Sequence, residues 1–239
     1  MNSEFGMESN WLSGVSRRFS MSVLVVGSLL AVFSALDANA SPQYLDPVDS
    51  GWYRSRPSGI DHISTNRNFL VGDLTDGTTY RNFFVFDLSG VVGPITSATF
   101  TALVSDNLGV TNPAGTFETW TLFDVTTGIS VVTAGSSPTT TYQDLGSGTI
   151  LGSMSFSTAD RGRPVGFDFN AAGLAQLNSA IGGQWAFGGA VTTLDDPARS
   201  ESIFHASGLD SLARLSINVP EPSTLLAAVG LPLLFRRLR

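Results

Sequence analysis

The sequence predicts an all-β domain, a β-sandwich or jelly-roll-like fold with one short helix, and three observations predict it. Apolar-rich runs recur between Ser41 and Val219, separated by turn signals roughly every eight to fifteen residues. One run, Tyr80–Leu88 (YRNFFVFDL), is apolar on both faces, as a central strand must be. Only Asn170–Ile181 shifts to a helical period. With 239 residues and 42% hydrophobic composition, the chain is long enough for one all-β domain and too apolar to be disordered.

Each element follows from its pattern. In Tyr80–Leu88, Phe84, Phe86 and Leu88 share one face, and Phe83 and Val85 the other. Ile95–Val104 alternates, with Ala98, Phe100, Ala102 and Val104 opposite Thr99 and Thr101. Thr116–Val125, Thr149–Phe156 and Pro164–Phe169 follow, the last turning Val165, Phe167 and Phe169 inward. Asn170 is a good N-cap for a helix bearing Leu174, Leu177 and Ile181, which Gly182-Gly183 ends. This helix is expected to lid one end of the sandwich. Gln184–Thr192 resumes as strand with Trp185, Phe187 and Val191 on one face, followed by Ser202–Ala206. Leu212–Val219 closes the sheet, with Ala213, Leu215, Ile217 and Val219 inward. No internal repeat is evident, so 41–219 reads as one domain.

Composition excludes whole classes of chemistry. There is no cysteine, hence no disulfide, zinc–thiolate site or thiol nucleophile. All 13 basic residues are arginine, and without lysine there is neither a Walker-type phosphate loop nor Schiff-base catalysis. The net charge of −7 becomes −8 within 41–219, where 8 Arg face 16 acidic residues. An acidic surface argues against nucleic acid as a partner.

Both ends read as addresses. Arg17 and Arg18 precede the apolar run Met21–Leu36, and Ala38-Asn39-Ala40 is an A-x-A cleavage site that leaves Ser41 as the mature N-terminus. Residues 1–40 are thus expected to be a signal peptide, entering the membrane as a helix and cut by signal peptidase. A transmembrane anchor is the competing reading, although the run falls short of the ~20 residues needed to span. Ser16-Arg17-Arg18-Phe19 departs from a twin-arginine motif by the spacing of its phenylalanine, and Met7 is an alternative start. At the other end stand Pro220-Glu221-Pro222, the apolar run Leu225–Phe235 and the cluster Arg236-Arg237-Leu238-Arg239. The prolines hold Glu221 in an extended, unpaired segment open to a protease. The arginines stay cytoplasmic by the positive-inside rule.

In that order the three features, Pro220–Pro222, apolar helix and Arg236, Arg237 and Arg239, resemble the PEP-CTERM sorting signal of Gram-negative bacteria. The resemblance implies that 220–239 is a sorting signal holding the chain at the inner membrane through a short hydrophobic helix. It further implies that an exosortase, a membrane transpeptidase, cuts at or near the triplet, and that the product reaches the cell surface or extracellular matrix. One departure is the length of Leu225–Phe235, about 16 Å as a helix and interrupted by Pro232. Tyr80–Gly93 with Ile95–Ala98, preceded by Asn66–Gly72, resembles a strand pair of exported modules that include carbohydrate-binding β-sandwiches. Asn170–Leu194 resembles the helix-and-strand portion common in PEP-CTERM proteins.

No catalytic motif of the serine-hydrolase, zincin or dinucleotide type is present. His62 and His205 are the only histidines, and His62 is expected in a polar, solvated loop. Glu118, Glu201 and Asp168 lie in predicted strands, as a glycoside-hydrolysing carboxylate pair would require. Calcium is the cofactor the composition best accommodates, through Asp73 and Asp76 in one loop and Asp195 and Asp196 in another. The competing reading is that these aspartates only build turns. Trp52-Tyr53, flanked by Arg54 and Arg56, offers aromatic faces beside planar donors, as a glycan contact would. Trp120 and Trp185 are expected in the core. The expectation is a non-enzymatic exported protein with an adhesive, glycan-binding or structural role, extracellular polysaccharide being its partner. The alternative is an exported carbohydrate-active enzyme using the strand-borne carboxylates.

Overall fold

The computed structural model describes residues 41–56, 61–63, 65, 68–106, 108–112, 116–135, 139–196, 198–205 and 212–220. The expected signal peptide, with Ala38 and Ala40, lies outside the described residues, as do Glu221, Pro222 and the terminal arginines.

The strand with two apolar faces organises the domain. β4 (Thr79–Asp87) pairs along residues 82–85 with β10 (Gln184–Val191) on one edge and β2 (Asp49–Arg54) on the other. Around it an eight-stranded sheet runs β6 (Val110–Thr111), β11 (Ser202–Ile203), β3 (Val71–Asp73), β4, β10, β7 (Glu118–Asp124) and β8 (Ile150–Phe156), with β2 attached to β4. A second sheet of four strands runs β1 (Ser41–Leu45), β12 (Ala213–Val219), β5 (Ser97–Leu103) and β9 (Pro164–Asp168). Pairing is antiparallel throughout.

The fold is a β-sandwich whose main core lies between the sheets. Phe84, Phe86 and Leu88 of the large sheet meet Phe100, Leu215 and Ile217 of the small one, with Trp120, Trp185 and Phe187 filling the middle. The inward faces expected from alternation in β4, β5, β10 and β12 are those observed. Asn82 sits fully buried among these aromatics: its Oδ1 accepts from Trp120 Nε1 (3.2 Å), and its Nδ2 donates to the Phe69 carbonyl (2.9 Å). Both hydrogen bonds satisfy groups that would be costly to bury alone.

The other face of the large sheet carries a second, smaller core of Tyr53, Phe83, Val85, Val132, Leu145 and Ala186. Two short helices cover it, α1 (Ile129–Val132) and α2 (Thr139–Asp144), adding to the helix the sequence locates. Gly188 of β10 permits their close approach, since a Cβ there would meet the Leu145 backbone at 2.5 Å. Arg81 fastens α2 to β4: its guanidinium lies 4.4 Å from the Tyr142 ring centre, and Nη1 donates to the carbonyls of Tyr142 and Gln143, both at 2.9 Å. Neither helix has an apolar period long enough to read in sequence, and it is the exposed second face of β4 that requires them.

α3 (Ala171–Ser179) begins as expected, Asn170 Oδ1 accepting from Gly173 N (3.0 Å); Ala180 caps its end, and the turn that follows passes through Gly182, whose φ of +86° suits only glycine without strain. Asn178 pins it to the start of β5, accepting from Ile95 N (2.8 Å) and donating to Ile95 O (2.9 Å).

Replacing Asn82 with leucine keeps the branched skeleton of the side chain but removes the partners of the buried Trp120 indole N–H and Phe69 carbonyl. Asn82→Leu is expected to lower unfolding free energy by about 2–6 kcal/mol, at about 1–3 kcal/mol per orphaned group, read by urea denaturation. Parental stability in this variant would show that these two bonds are not needed.

Candidate functional site

The register Trp52↔Asn82 and Arg54↔Tyr80 puts Trp52, Arg54 and Tyr80 on one face of the β2–β4 pair. Trp52 and Tyr80 are half-buried there, their rings edge-to-face with centres 5.1 Å apart. The Arg54 guanidinium carbon lies 5.6 Å from the Trp52 ring centre. Asp61, buried in the segment that follows β2, holds this arginine. Its Oδ1 accepts from Arg54 Nε at 2.6 Å, and its Oδ2 accepts from the Arg54 backbone N–H at 3.3 Å. One carboxylate thereby fixes the side chain and occupies an outward strand N–H, closing an edge otherwise open to pairing. Next to it, Arg56 Nη1 donates to the Asp76 carbonyl (3.4 Å). The result is an aromatic pair bordered by two arginines, Arg54 paired with the Asp61 carboxylate and Arg56 on the Asp76 backbone carbonyl, near the charge of that residue.

Two sequence expectations need correction here. Tyr53 offers no surface to a ligand: it is fully buried in the second core, and its hydroxyl donates to the Val132 carbonyl at 2.7 Å. Burial pushes its pKa up to about 12. Adjacent residues of a strand face opposite ways, so Trp52 and Tyr53 could not both serve one surface. His62 is not solvated but buried, with Nε2 3.0 Å from Asp49 Oδ2 and its ring edge-on to Phe83. Gly51 makes room for it, because a Cβ at that position would land on the imidazole. The Asp49–His62 and Arg54–Asp61 pairs together clamp the Asp61–Ile63 segment onto β2. His205 lies apart, half-buried after β11.

The candidate carboxylates divide into groups. Glu118 and Glu201 are both buried. Glu118 Oε2 accepts from the Thr193 hydroxyl (2.7 Å), while Glu201 Oε2 accepts from the N–H groups of Asp195 (2.8 Å) and Asp196 (3.1 Å). Asp73, also buried, accepts from Glu201 N (2.8 Å). Burial raises the pKa of Glu118, Thr193 counters it, and the charges of Glu201, Asp195 and Asp73 add to the rise. Burial likewise raises the pKa of Asp73, with Asp196 contributing. Glu201 immediately precedes β11 rather than lying within a strand. Asp168 is elsewhere, exposed on β9 of the small sheet and accepting from Thr99 Oγ1 (2.5 Å). Asp76 is also separate: its carboxylate closes its own turn on Thr78 N (2.9 Å), which lowers its pKa. Asp73, Asp195 and Asp196 therefore gather around Glu118 and Glu201, and Asp76 does not join them. Among the described residues no three His, Asp or Glu side chains are placed to hold a metal ion together. The grouping was invisible in sequence because Asp73 and Glu201, 128 positions apart, meet only when β3 pairs with β11.

No protein-family model matches the chain, and no curated protein matches it in sequence. Among solved structures, the chain is similar to the K1 cleaved adhesin domain of Lys-gingipain from Porphyromonas gingivalis W83. The identity is 12%, over 77% of this chain and 93% of that one, with a TM-score of 0.28. A likeness at that score carries no functional assignment.

The buried carboxylates set a pH signature. Because the folded pKa values of Glu118 and Asp73 lie above their unfolded ones, the stability tied to their protonation is fully present below about pH 4. It is lost as pH rises through the folded values. Glu118→Gln, which keeps an acceptor for Thr193, is expected to raise Tm at pH 7, with the gain shrinking toward pH 4. Thermal melts at the two pH values measure this, and a gain independent of pH would refute the electrostatic account.

Proposed function

We propose that this chain is a non-enzymatic exported protein that adheres to extracellular polysaccharide through the Trp52–Tyr80–Arg54 surface. The observation that carries the reading is the locked arginine: Arg54, held by buried Asp61 at 2.6 Å, stands beside a half-buried indole that is braced edge-on by Tyr80. An immobilised aromatic flanked by fixed, planar donors suits a pyranose, whose C–H face stacks while its hydroxyls hydrogen-bond at the rim. Preorganisation matters because side chains already ordered add little entropic cost on binding. Since the local arginines are matched by Asp61 and Asp76, a neutral glycan fits better than a strongly anionic one. The acidic domain as a whole points the same way.

Delivery rests on the terminal segments. The first 40 residues direct export, and signal peptidase leaves Ser41 at the N-terminus. Pro220–Pro222, the apolar run and Arg236, Arg237 and Arg239 hold the chain at the inner membrane until an exosortase acts at the triplet. The three buried or scattered carboxylates Glu118, Glu201 and Asp168 have no part in this reading.

Two measurements test it. On an array of neutral and uronic-acid-bearing polysaccharides, Trp52→Ala is expected to weaken binding roughly tenfold or more, equivalent to about 1.4 kcal/mol, with Tm little changed. Glycan binding unaffected by Trp52→Ala, or no glycan binding at all, would overturn the assignment. Mass spectrometry of protein recovered from the exporting cell is expected to show a chain that begins at Ser41 and lacks the arginine cluster; an intact Arg239 refutes processing.

A further inference from the structure

We propose that one corner of the small sheet, formed by Ser41, Val219 and the loop 88–94, rests on the surface of a lipid bilayer. The inference shares with the proposed function the reading that the terminal apolar segments are membrane-directed. It adds which face of the domain meets the membrane.

Three observations place the corner. In the β1–β12 ladder Ser41 pairs with Val219, so the chain enters and leaves the domain side by side. The same corner is therefore the tether point whichever apolar segment, Met21–Leu36 or Leu225–Phe235, is still attached. Val219 is buried, and it packs so closely on the loop that a Cβ at Gly93 would lie 3.1 Å from its Cγ1. Beside that contact Val92 is 76% exposed and Pro94 is exposed, an apolar tip with no cover among the described residues.

The tether is short and its attachment is firm. Leu225 follows Val219 by six residues, which extend to at most about 20 Å. Asn218 secures the strand end, its carbonyl accepting from Thr96 N (2.9 Å) and Thr96 Oγ1 (3.1 Å) while its Nδ2 donates to Ser97 Oγ (2.7 Å). With such a leash, Val92 and Pro94 are held near the headgroups, where burying an exposed valine is favourable. The opposite end of β12 lies more than ~20 Å away, seven strand residues at about 3.3 Å each. That end carries its own exposed apolar residue, Leu212, at 68%. Two apolar surface residues at opposite ends of one sheet thus provide an internal comparison.

The absence of cysteine makes the test clean. The full chain, carrying a bimane label at Val92→Cys or at Leu212→Cys, is reconstituted into phosphatidylcholine nanodiscs with and without a nitroxide-labelled lipid. Quenching at position 92 is expected to exceed that at 212 several-fold. Equal quenching, or stronger quenching at 212, in a chain that does enter the nanodisc fraction overturns the proposed corner alone. Failure of both labelled chains to enter the nanodisc fraction overturns the corner together with the membrane-directed reading of the terminal segments.

Discussion

A strand that is apolar on both faces must be covered twice, and that requirement at β4 governs this molecule. Phe84 and Phe86 point one way, and Phe83 and Val85 the other; all four are buried. On the first side the four-stranded sheet supplies the cover, making a sandwich whose aromatic centre links Phe84, Phe100, Trp120 and Phe187 at ring separations of 4.8–6.2 Å. On the second side α1, α2 and Tyr53 do the same for a smaller core. Asn82, a polar residue on the same face as Phe84 and Phe86, is tolerated because Trp120 and Phe69 satisfy it.

The candidate surface depends on the same strand. β2 is held in the sheet by β4, and its register sets Trp52 and Arg54 beside Tyr80. The segment carrying Asp61 and His62 then locks them from the outer edge. Stability and presentation are coupled here: His62 fills the space above Gly51 and braces Phe83, while Asp61, one residue away, aims Arg54. The acidic grouping around Glu118 follows a different logic. Its carboxylates receive backbone and hydroxyl hydrogen bonds within the group, and burial beside like charges raises the pKa values of Glu118 and Asp73.

The two ends of the domain are also joined by the sheet. Because β12 is flanked by β1 and β5, its last residues are inside the ladder rather than at a free edge. The segment beginning at Pro220 therefore emerges directly from ordered structure, next to Ser41.

Local pattern alone determined much of this protein. Alternation in Tyr80–Leu88, Ile95–Val104 and Leu212–Val219 assigned the inward faces, since side chains in a strand have a period of two whatever their partners. The Asn170 cap and the turn through Gly182 delimited α3 for equally local reasons. The compositional exclusions follow from residues that are simply missing. Tertiary structure decided what depends on pairing across long separations. Only the register of β2 on β4 joins Trp52 and Arg54 to Tyr80. Only β3–β11 pairing brings Asp73 to Glu201, and only β1–β12 pairing brings Ser41 to Val219. The burial of His62 against Asp49 belongs with these, because a polar segment in sequence becomes interior when a sheet edge must be closed.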